Sequence, residues 1–189
     1  MHRSSILLFA TGAALAALVM APRETVARPA AAARPAPAFT QTDPAAWLNS
    51  TPLRWQDLRG QVTLLEFWTF ACWNCYRSIP WLRTLEPRYR RRGLRIVSIH
   101  TPEFAHERVR ANVEAKLREL KVDFPVMLDN DYAFWNAMGN RYWPAFYLVD
   151  GQGRVRASFA GETHAGDRNA AAIEAAIDSL LSENTGETR

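Results

Sequence analysis

One stretch constrains the fold of this chain more than any other: an apolar run over residues 62–68, followed at once by a helical pattern. The only two cysteines of the 189-residue sequence, Cys72 and Cys75, stand three positions apart at this switch. In the first turn of a helix, residues three apart lie on one face, so two thiols there are close enough to form a disulfide. The stretch therefore predicts a buried strand, a helix that begins near Cys72, and a pair of neighbouring thiols at the junction.

The two cysteines are not equivalent in this interpretation. A thiol at a helix N-terminus faces unpaired N–H groups and the positive end of the helix dipole, which favour the thiolate. Cys72 is therefore predicted to be the nucleophile, and Cys75 the more buried resolving thiol. Such an arrangement suits thiol–disulfide exchange.

Three other uses of the cysteine pair are less consistent with the sequence. A structural disulfide that closes so small a ring stabilises a fold by only about 2 kcal/mol. A tetrahedral zinc site needs four ligands, and the sequence has neither a second cysteine pair nor two suitably spaced histidines. Covalent haem attachment needs a histidine directly after the second cysteine, where Tyr76 stands. We therefore expect no metal and no cofactor.

The composition favours one globular domain with additional segments. Hydrophobic residues make up 48% of the chain and aromatic residues 11%, which is enough for a sizeable core. The net charge is +4, but the basic residues are nearly all arginines scattered among acids, without a basic face or an RNA-binding motif. We therefore expect no nucleic-acid partner, and we expect a monomer.

The first 27 residues have the pattern of an export signal. Arg3 supplies a short positive region, residues 6–20 are apolar and uncharged, and residues 25–27 offer a cleavage site. A membrane-spanning helix needs about 20 apolar residues, so this stretch is short unless Ala21 and Pro22 extend it. We therefore predict an exported protein in the periplasm or another extracytoplasmic space. A cleaved signal peptide is favoured over an uncleaved N-terminal membrane anchor.

Residues 28–45 are rich in Ala, Pro and Arg and have little periodicity. Such a composition buries too little apolar surface to offset the entropy lost when the chain is ordered. We therefore predict a linker over residues 28–45 and a folded domain over residues 46–185.

One carboxylate interrupts the apolar run. Glu66 lies in the middle of the strand predicted over residues 61–68, six positions before Cys72. Burial raises the pKa of a carboxyl, so Glu66 is a candidate to accept or supply the proton of Cys75 near neutral pH. The alternative is a glutamate at a partly hydrated strand end with no catalytic role.

The rest of the chain alternates between strand and helix patterns. Helices are predicted at residues 74–91, 106–120, 131–138 and 167–181, and strands at 94–99, 124–128, 145–149 and, after a tight turn, 155–159. Pro80 lies inside the first helix and is expected to kink it. His100 and Glu103 are candidates to line a ligand site, because open α/β sheets bind ligands at the carboxyl ends of their strands.

Over residues 61–182 the chain resembles the thioredoxin superfamily, and within it the exported TlpA-like and DipZ-like thiol:disulfide oxidoreductases. The motifs that carry the resemblance are Phe67-Trp68 before Cys-x-x-Cys, Pro80 at the family's helix kink, Pro144 at its cis-proline, and Gly161 after its last strand. Residues 100–104 and 129–144 are similar to DipZ-like proteins in particular. The resemblance implies an α/β, thioredoxin-like fold: a central mixed sheet flanked by helices, with a C-terminal β-hairpin and a closing helix.

The resemblance also implies roles for individual residues. It places Glu66 at the position of the family's buried acid, beside the catalytic cysteines. It implies that Pro144 faces the cysteines across a groove that binds substrate. The residues expected to line this groove are Trp68, Trp73, Asn74, Trp143 and Pro144.

The function implied by the resemblance is disulfide exchange with exported proteins that carry thiols or disulfides, apocytochrome c among them. We expect the reducing direction, which in an oxidising compartment needs a membrane electron donor of the DsbD or CcdA type. Trp73-Asn74 replaces the Gly-Pro of thioredoxin between the cysteines, so thioredoxin's reduction potential is not transferred. Trp143 is bulkier than the usual residue before the cis-proline, and we expect it to narrow the groove.

Two other functions remain open from the sequence alone. Thr69 lies three residues before Cys72, as in the T-x-x-C motif of peroxiredoxins, although Leu65 stands where their proline would be. A peroxiredoxin-like thiol peroxidase is therefore one alternative. A redox-inert binding domain is the other, because a fold by itself does not determine a function.

Overall fold

Strand β3 (Val62–Trp68) is the centre of the structure, and all seven of its residues are buried, as its continuous apolar sequence predicts. It pairs in parallel with β4 (Leu94–His100) on one side and antiparallel with β6 (Ala145–Val149) on the other. The structure is a computed structural model that describes the backbone of residues 29–186 and the side chains of residues 33–184.

Four further strands complete a single mixed sheet in the part of the chain that the structure describes. They are β1 (Pro29–Pro35), β2 (Trp47–Leu48), β5 (Val126–Leu128) and β7 (Arg154–Ala160). The strand order is β1-β7-β6-β3-β4-β5-β2, with β3, β4 and β5 parallel to one another. Strands β6 and β7 form the predicted hairpin.

The helices of the described chain are α1 (Trp73–Tyr89), α2 (Arg110–Leu120), α3 (Ala133–Met138) and α4 (Arg168–Gly186). The apolar residues of α1, α2 and α4 pack against one face of the sheet, and those of α3 against the other. This arrangement confirms the predicted thioredoxin-like class, with its C-terminal hairpin and closing helix. Helix α1 passes into a 3₁₀ turn (Arg90–Arg92) that ends at Gly93, where φ is +98°.

The structure corrects the start of the helix predicted over residues 106–120. Residues Ala105–Arg108 form a separate 3₁₀ turn, and α2 begins only at Arg110. Val109, which helical spacing would place on the apolar face with Val113 and Leu117, is 49% exposed at the break. The break coincides with Glu107, whose carboxylate turns inward to accept hydrogen bonds from backbone N–H groups instead of facing solvent.

The structure also corrects the linker predicted over residues 28–45. Strand β1 pairs with the outer edge of β7, where prolines are tolerated because no further strand needs their missing N–H groups. After β1, the indole N–H of Trp55 donates to the carbonyl of Pro37, and that of Trp47 to the carbonyl of Gln41, each at 2.8 Å. Composition could not reveal these attachments, because the donors lie outside the segment.

Phe39 fastens the same segment to the core. Its side chain is 7% exposed, and its ring stacks on Trp55 at a centroid distance of 4.8 Å and on Phe134 of α3 at 5.2 Å. Aromatic contacts of this kind add to the free energy that burial of the ring already contributes. The folded domain therefore begins well before residue 46.

The predicted export signal over residues 1–27 lies outside the described residues. Within residues 29–186, none of the helices is long and apolar enough to cross a bilayer. The choice between a cleaved signal and an uncleaved anchor therefore remains a prediction from the sequence.

Replacing Phe39 with alanine should destabilise the whole domain, because the ring is buried between two core aromatics. We expect Phe39→Ala to lower the free energy of unfolding by about 3 kcal/mol, measured by urea titration. Phe104→Ala is the matched control: this ring is 51% exposed, so we expect a change within about 0.5 kcal/mol. Equal effects of the two substitutions would show that residues 36–45 are a linker after all.

Candidate redox site

The N-terminus of α1 carries both cysteines. Cys72 is the N-cap residue, and its Sγ accepts a hydrogen bond from the backbone N–H of Cys75 at 3.3 Å. The buried Cys75 thiol lies behind it and donates to the half-buried Cys72 Sγ at 2.6 Å. Both cysteines are free, so the structure represents the reduced, dithiol form of the pair.

Hydrogen bonding and burial separate the pKa values of the two thiols. The thiol of Cys75 and the first N–H groups of α1 lower the pKa of Cys72 to about 7, although partial burial and the charge of Glu103 oppose this. Burial raises the pKa of Cys75 far above its ordinary value, and its hydrogen bond to Cys72 adds to the rise. At neutral pH roughly half of the molecules therefore carry a thiolate at Cys72, while the thiol of Cys75 stays protonated.

Glu66 lies on the face of β3 that α1 covers, because side chains alternate along a strand and Leu64 and Trp68 point the same way. Its carboxyl is fully buried, and the hydroxyl of Ser98 on β4 donates to Oε2 at 2.8 Å. Its Oε1 has no hydrogen-bond partner among the described residues. Burial raises the pKa of Glu66 to about 8, and the charge of Cys72 adds to this rise.

Because the Glu66 carboxyl is fully buried, Glu66 does not lie at a partly hydrated strand end, which was the alternative interpretation of its position. A carboxyl that changes charge near neutral pH, and that has one oxygen without a partner, is suited to exchange a proton with a buried thiol. Glu66 and Cys75 are also linked electrostatically, since the charge of Glu66 raises the pKa of Cys75. The structure therefore brings together the three residues that the sequence nominated for catalysis.

The two residues between the cysteines are exposed. The Trp73 side chain is 65% exposed, and its ring stacks on Tyr76 at a centroid distance of 5.4 Å and an interplanar angle of 7°. Asn74 is exposed beside it. Both are therefore accessible to a partner that approaches Cys72.

The Trp143-Pro144 bond is cis and lies in the turn before β6. This turn is at the same end of the sheet as Cys72, because β6 runs antiparallel to β3. Pro144 is buried, and the half-buried indole of Trp143 packs against Trp135 of α3 at 4.3 Å. Much of the Trp143 side chain therefore belongs to the core, so only its exposed part is available to narrow a groove.

The structure corrects the role expected for Trp68. Its side chain is only 1% exposed, and its ring contacts the edge of His100 at a centroid distance of 5.1 Å. It belongs to the core cluster beneath α1 rather than to a surface groove. Side chains alternate between the two faces of β3, so the Trp68 ring points into the core although Trp68 immediately precedes the loop that carries the redox motif.

His100 and Glu103 have opposite environments. His100 is completely buried, its ring nitrogens have no partners among the described residues, and burial lowers its pKa to about 4. Glu103 is exposed, and its carboxylate raises the pKa of Cys72. Of these two candidates, only Glu103 is placed to affect the reactive thiol from the surface.

Sequence reasoning missed Glu107, which lies within the helix predicted over residues 106–120. The side chain is completely buried, and its carboxylate accepts hydrogen bonds from the Thr69 hydroxyl and from the N–H groups of Ala71, Glu103 and Phe104. No sequence signal marks it, because a capping box is recognised by Ser or Thr at the N-cap and the N-cap here is a phenylalanine.

The chemistry available to this site is that of two thiols and an acid. Among residues that the structure describes, no group of three or more His, Cys, Asp or Glu side chains is placed to hold a metal ion. A nucleophilic sulfur at the surface, a second thiol in contact with it and a buried proton acceptor are the groups that thiol–disulfide exchange requires.

Comparison with known protein families agrees with this geometry. The family model described as Redoxin matches residues 31–177. The match begins within strand β1 and includes the redox motif, the cis-proline turn and Glu107. It ends at residue 177, in the middle of α4.

Two relatives extend the comparison. The chain is 41% identical over 140 residues to protein DipZ of Mycobacterium tuberculosis, an alignment that covers 72% of this chain and 19% of DipZ. It is 29% identical over 116 residues to the thiol-disulfide oxidoreductase YkuV of Bacillus subtilis, covering 61% of this chain and 78% of YkuV. The chain therefore spans only about a fifth of the length of DipZ.

Among solved structures, a thioredoxin-like protein determined in its oxidised form has a similar fold. The TM-score is 0.68 at 26% sequence identity, and the superposition covers 80% of this chain and 97% of that protein. This likeness supports the thioredoxin-like arrangement of the sheet and helices.

Glu66→Gln should reduce the pH dependence of stability in the dithiol form. The pKa of Glu66 rises from an ordinary value of 4.5 to about 8 on folding, so the folded state binds this proton more tightly than the unfolded state. The wild type should therefore lose stability relative to Glu66→Gln between about pH 4.5 and 8, by up to about 5 kcal/mol. Urea unfolding at about pH 5, 6.5 and 8.5 under reducing conditions measures the difference.

Glu119→Gln is the matched control for this experiment. Glu119 is exposed on α2 and pairs with Lys116 at the surface, so its replacement should leave the pH dependence of the wild type unchanged. Parallel stability curves for the wild type and Glu66→Gln would mean that the pKa of Glu66 is not raised by folding.

Proposed function

This chain belongs to the Redoxin family, and from that premise we propose that it is a thiol:disulfide oxidoreductase that reduces disulfides in exported proteins. One observation carries the proposal: a cysteine whose pKa is lowered to about 7 contacts a buried cysteine whose pKa is raised. An inert structural pair would gain nothing from this difference. The name of the relative YkuV, thiol-disulfide oxidoreductase, supports the same class.

The reaction begins at Cys72. Its thiolate attacks one sulfur of the partner's disulfide, the partner's S–S bond breaks, and the second partner sulfur leaves as a thiolate. A mixed disulfide then joins Cys72 to the partner. The exposed Trp73 and Asn74 lie beside the attacking sulfur, so the partner contacts them as it approaches.

Cys75 completes the reaction. Its thiol lies 2.6 Å from the Cys72 sulfur, and Glu66 accepts its proton. The resulting Cys75 thiolate attacks Cys72, the bond to the partner breaks, and the partner leaves with both of its sulfurs reduced. The chain retains a Cys72–Cys75 disulfide, so two electrons have passed from the cysteine pair to the partner.

The charge on Cys72 determines at which stage of the reaction Glu66 accepts a proton. In the dithiol form the Cys72 thiolate contributes to the raised pKa of Glu66, which favours a protonated carboxyl. In the mixed disulfide this negative charge is gone, so the pKa of Glu66 falls. More of Glu66 is therefore ionised, and able to accept a proton, at the stage when Cys75 must lose its proton.

The pKa of Cys72 is lowered only to about 7, and this moderate lowering supports the reducing direction. In thioredoxin-fold proteins the nucleophilic cysteine has a pKa of about 7 in thioredoxin, a reductant, and about 3.5 in a strong oxidant. The value of about 7 for Cys72 resembles that of the reductant. A less stabilised thiolate favours the disulfide form and therefore donation of electrons.

Export is part of the same proposal and rests on the apolar, signal-like sequence of residues 6–20. Its partners are exported proteins with disulfides or thiols, a class that includes apocytochrome c. In an oxidising compartment the cysteine pair must be reduced again after each cycle, so a membrane electron donor of the DsbD or CcdA type is required.

The peroxidase alternative receives less support. The Thr69 side chain is completely buried, and its hydroxyl donates a hydrogen bond to Glu107. Because the hydroxyl proton is already donated to Glu107, Thr69 could donate a hydrogen bond to a peroxide beside Cys72 only if this bond broke. The T-x-x-C spacing is therefore explained by the packing of the loop rather than by peroxide binding.

The equilibrium reduction potential of the cysteine pair tests the direction. Titration of the purified protein against defined dithiol–disulfide buffers, followed through the fluorescence of Trp73, should give a value near or below about −250 mV. A value near −120 mV would instead identify a disulfide donor. Absence of a reversible two-electron titration would contradict exchange altogether and favour the inert binding domain.

Cys75→Ser should trap partners as mixed disulfides, because the thiol that releases them is missing. Mixing this variant with an extract of exported proteins, followed by non-reducing electrophoresis and mass spectrometry, identifies the trapped species. Cys72→Ser is the control and should trap nothing and have no exchange activity. A Cys75→Ser protein that traps nothing and keeps full activity would show that Cys75 is not the resolving thiol.

A further inference from the structure

Glu107, in the 3₁₀ turn between β4 and α2, connects two loops through one carboxylate. Its Oε1 accepts hydrogen bonds from the Thr69 hydroxyl and from the N–H of Ala71, the latter at 2.8 Å. Its Oε2 accepts from the N–H groups of Glu103 and Phe104, each at 2.7 Å. One oxygen therefore binds the loop before the cysteines, and the other binds the loop after β4.

These donors allow Glu107 to remain charged although its side chain is completely buried. Burial by itself would raise the pKa of this carboxyl, but the four hydrogen bonds outweigh burial and hold the pKa below its ordinary value. Hydrogen bonds to an ionised carboxylate are roughly twice as strong as those between neutral groups. Glu107 therefore holds the two loops together more firmly than a neutral side chain would.

The loop that Glu107 binds leads directly into the nucleophile. Residues 69–71 immediately precede Cys72, whose N–H donates to the carbonyl of Thr69 at 3.3 Å. Cys72 in turn places its sulfur 3.3 Å from the N–H of Cys75, one of the contacts that favour its thiolate. A shift of the loop would therefore move the sulfur away from these donors.

Phe70 provides the same loop with a second attachment. Its ring stacks on the buried His100 at a centroid distance of 5.7 Å and meets the edge of His106 at 5.5 Å. Glu107 holds the residues on either side of Phe70, because it accepts hydrogen bonds from the Thr69 hydroxyl and from the backbone N–H of Ala71. The loop is thus held by packing at its centre and by one carboxylate at both ends.

We propose that Glu107 is a positioning residue of the redox site, which keeps the Cys72 sulfur over the first N–H groups of α1 by holding residues 69–71 in place. This role rests on the exchange chemistry proposed above. The positioning role concerns only Cys72 of the reduced protein, so it can be measured without a partner protein or an electron donor.

Glu107→Gln tests the proposal. Each carboxylate oxygen accepts from the two donors of one loop, and the amide nitrogen of glutamine cannot accept a hydrogen bond, so both donors of one loop lose their acceptor. We expect the pKa of Cys72 to rise by about one unit, and its alkylation by iodoacetamide at pH 7 to slow about fivefold. The pH dependence of alkylation of the reduced protein, followed by mass spectrometry, measures both.

The sign of the shift distinguishes positioning from simple electrostatics. Loss of a nearby negative charge lowers the pKa of a thiol, and Glu103→Gln should do this because the Glu103 carboxylate raises the pKa of Cys72. A rise in Glu107→Gln therefore supports the positioning role. A fall, or an alkylation profile that superimposes on that of the wild type, overturns it.

Two further variants complete the comparison. Glu107→Asp keeps the charge but shortens the side chain by one methylene, so its alkylation should slow less than that of Glu107→Gln. An Asp variant that is as slow as the Gln variant, or slower, overturns the proposal. Glu119→Gln, on the exposed side of α2, should match the wild type.

Thr69→Val keeps the proposal testable if Glu107→Gln does not fold. This substitution removes only the hydroxyl that donates to Glu107 and preserves the shape of the side chain. We expect alkylation at pH 7 to slow about twofold, and an unchanged profile would overturn the proposal. If these shifts are found while Cys75→Ser traps no partner, the exchange function fails and the positioning role stands.

Discussion

The contact between two sulfur atoms at the start of α1 is the interaction on which the site depends. It exists because β3, buried along its whole length, delivers the chain to a fixed point where the helix begins with Cys72 as its N-cap. The helix N–H groups and the Cys75 thiol then stabilise one thiolate, and burial prevents a second. The difference between the two cysteines thus follows from their depth at a helix end, since the side chains themselves are chemically identical.

Two buried carboxylates near this contact show how hydrogen-bond donors decide the charge of a buried acid. Glu66 receives one hydrogen bond, from Ser98, and burial raises its pKa to about 8. Glu107 receives four, and its pKa is lowered in spite of burial. The first can therefore exchange a proton near neutral pH, whereas the second remains charged and serves as a fixed anchor. The same residue type thus takes a chemical role in one place and a mechanical role in the other.

The opposite face of the sheet supports the site through aromatic packing. Phe39 stacks on Phe134 of α3, and the neighbouring Trp135 packs against Trp143 beside the cis-proline. The N-terminal segment, α3 and the cis-proline turn are therefore connected through the core. This connection explains why the segment before residue 46 is ordered although its composition is typical of a linker. The aromatic ring and the backbone carbonyl groups of the segment contact residues of the folded domain.

The sequence by itself determined the strand–helix switch, the two cysteines and Glu66, because apolar continuity, helical spacing and a carboxylate within an apolar run are local patterns. The class of fold was implied by the resemblance of these and other motifs to the thioredoxin superfamily. Only the tertiary structure decided the roles of Glu107 and Trp68. The donors at residues 69 and 71 meet the carboxylate at residue 107 only after β3 and β4 have paired, and such a long-range hydrogen bond leaves no periodicity in the sequence. Whether a side chain at a strand end, such as Trp68, points into the core or towards solvent likewise depends on which elements pack over the strand.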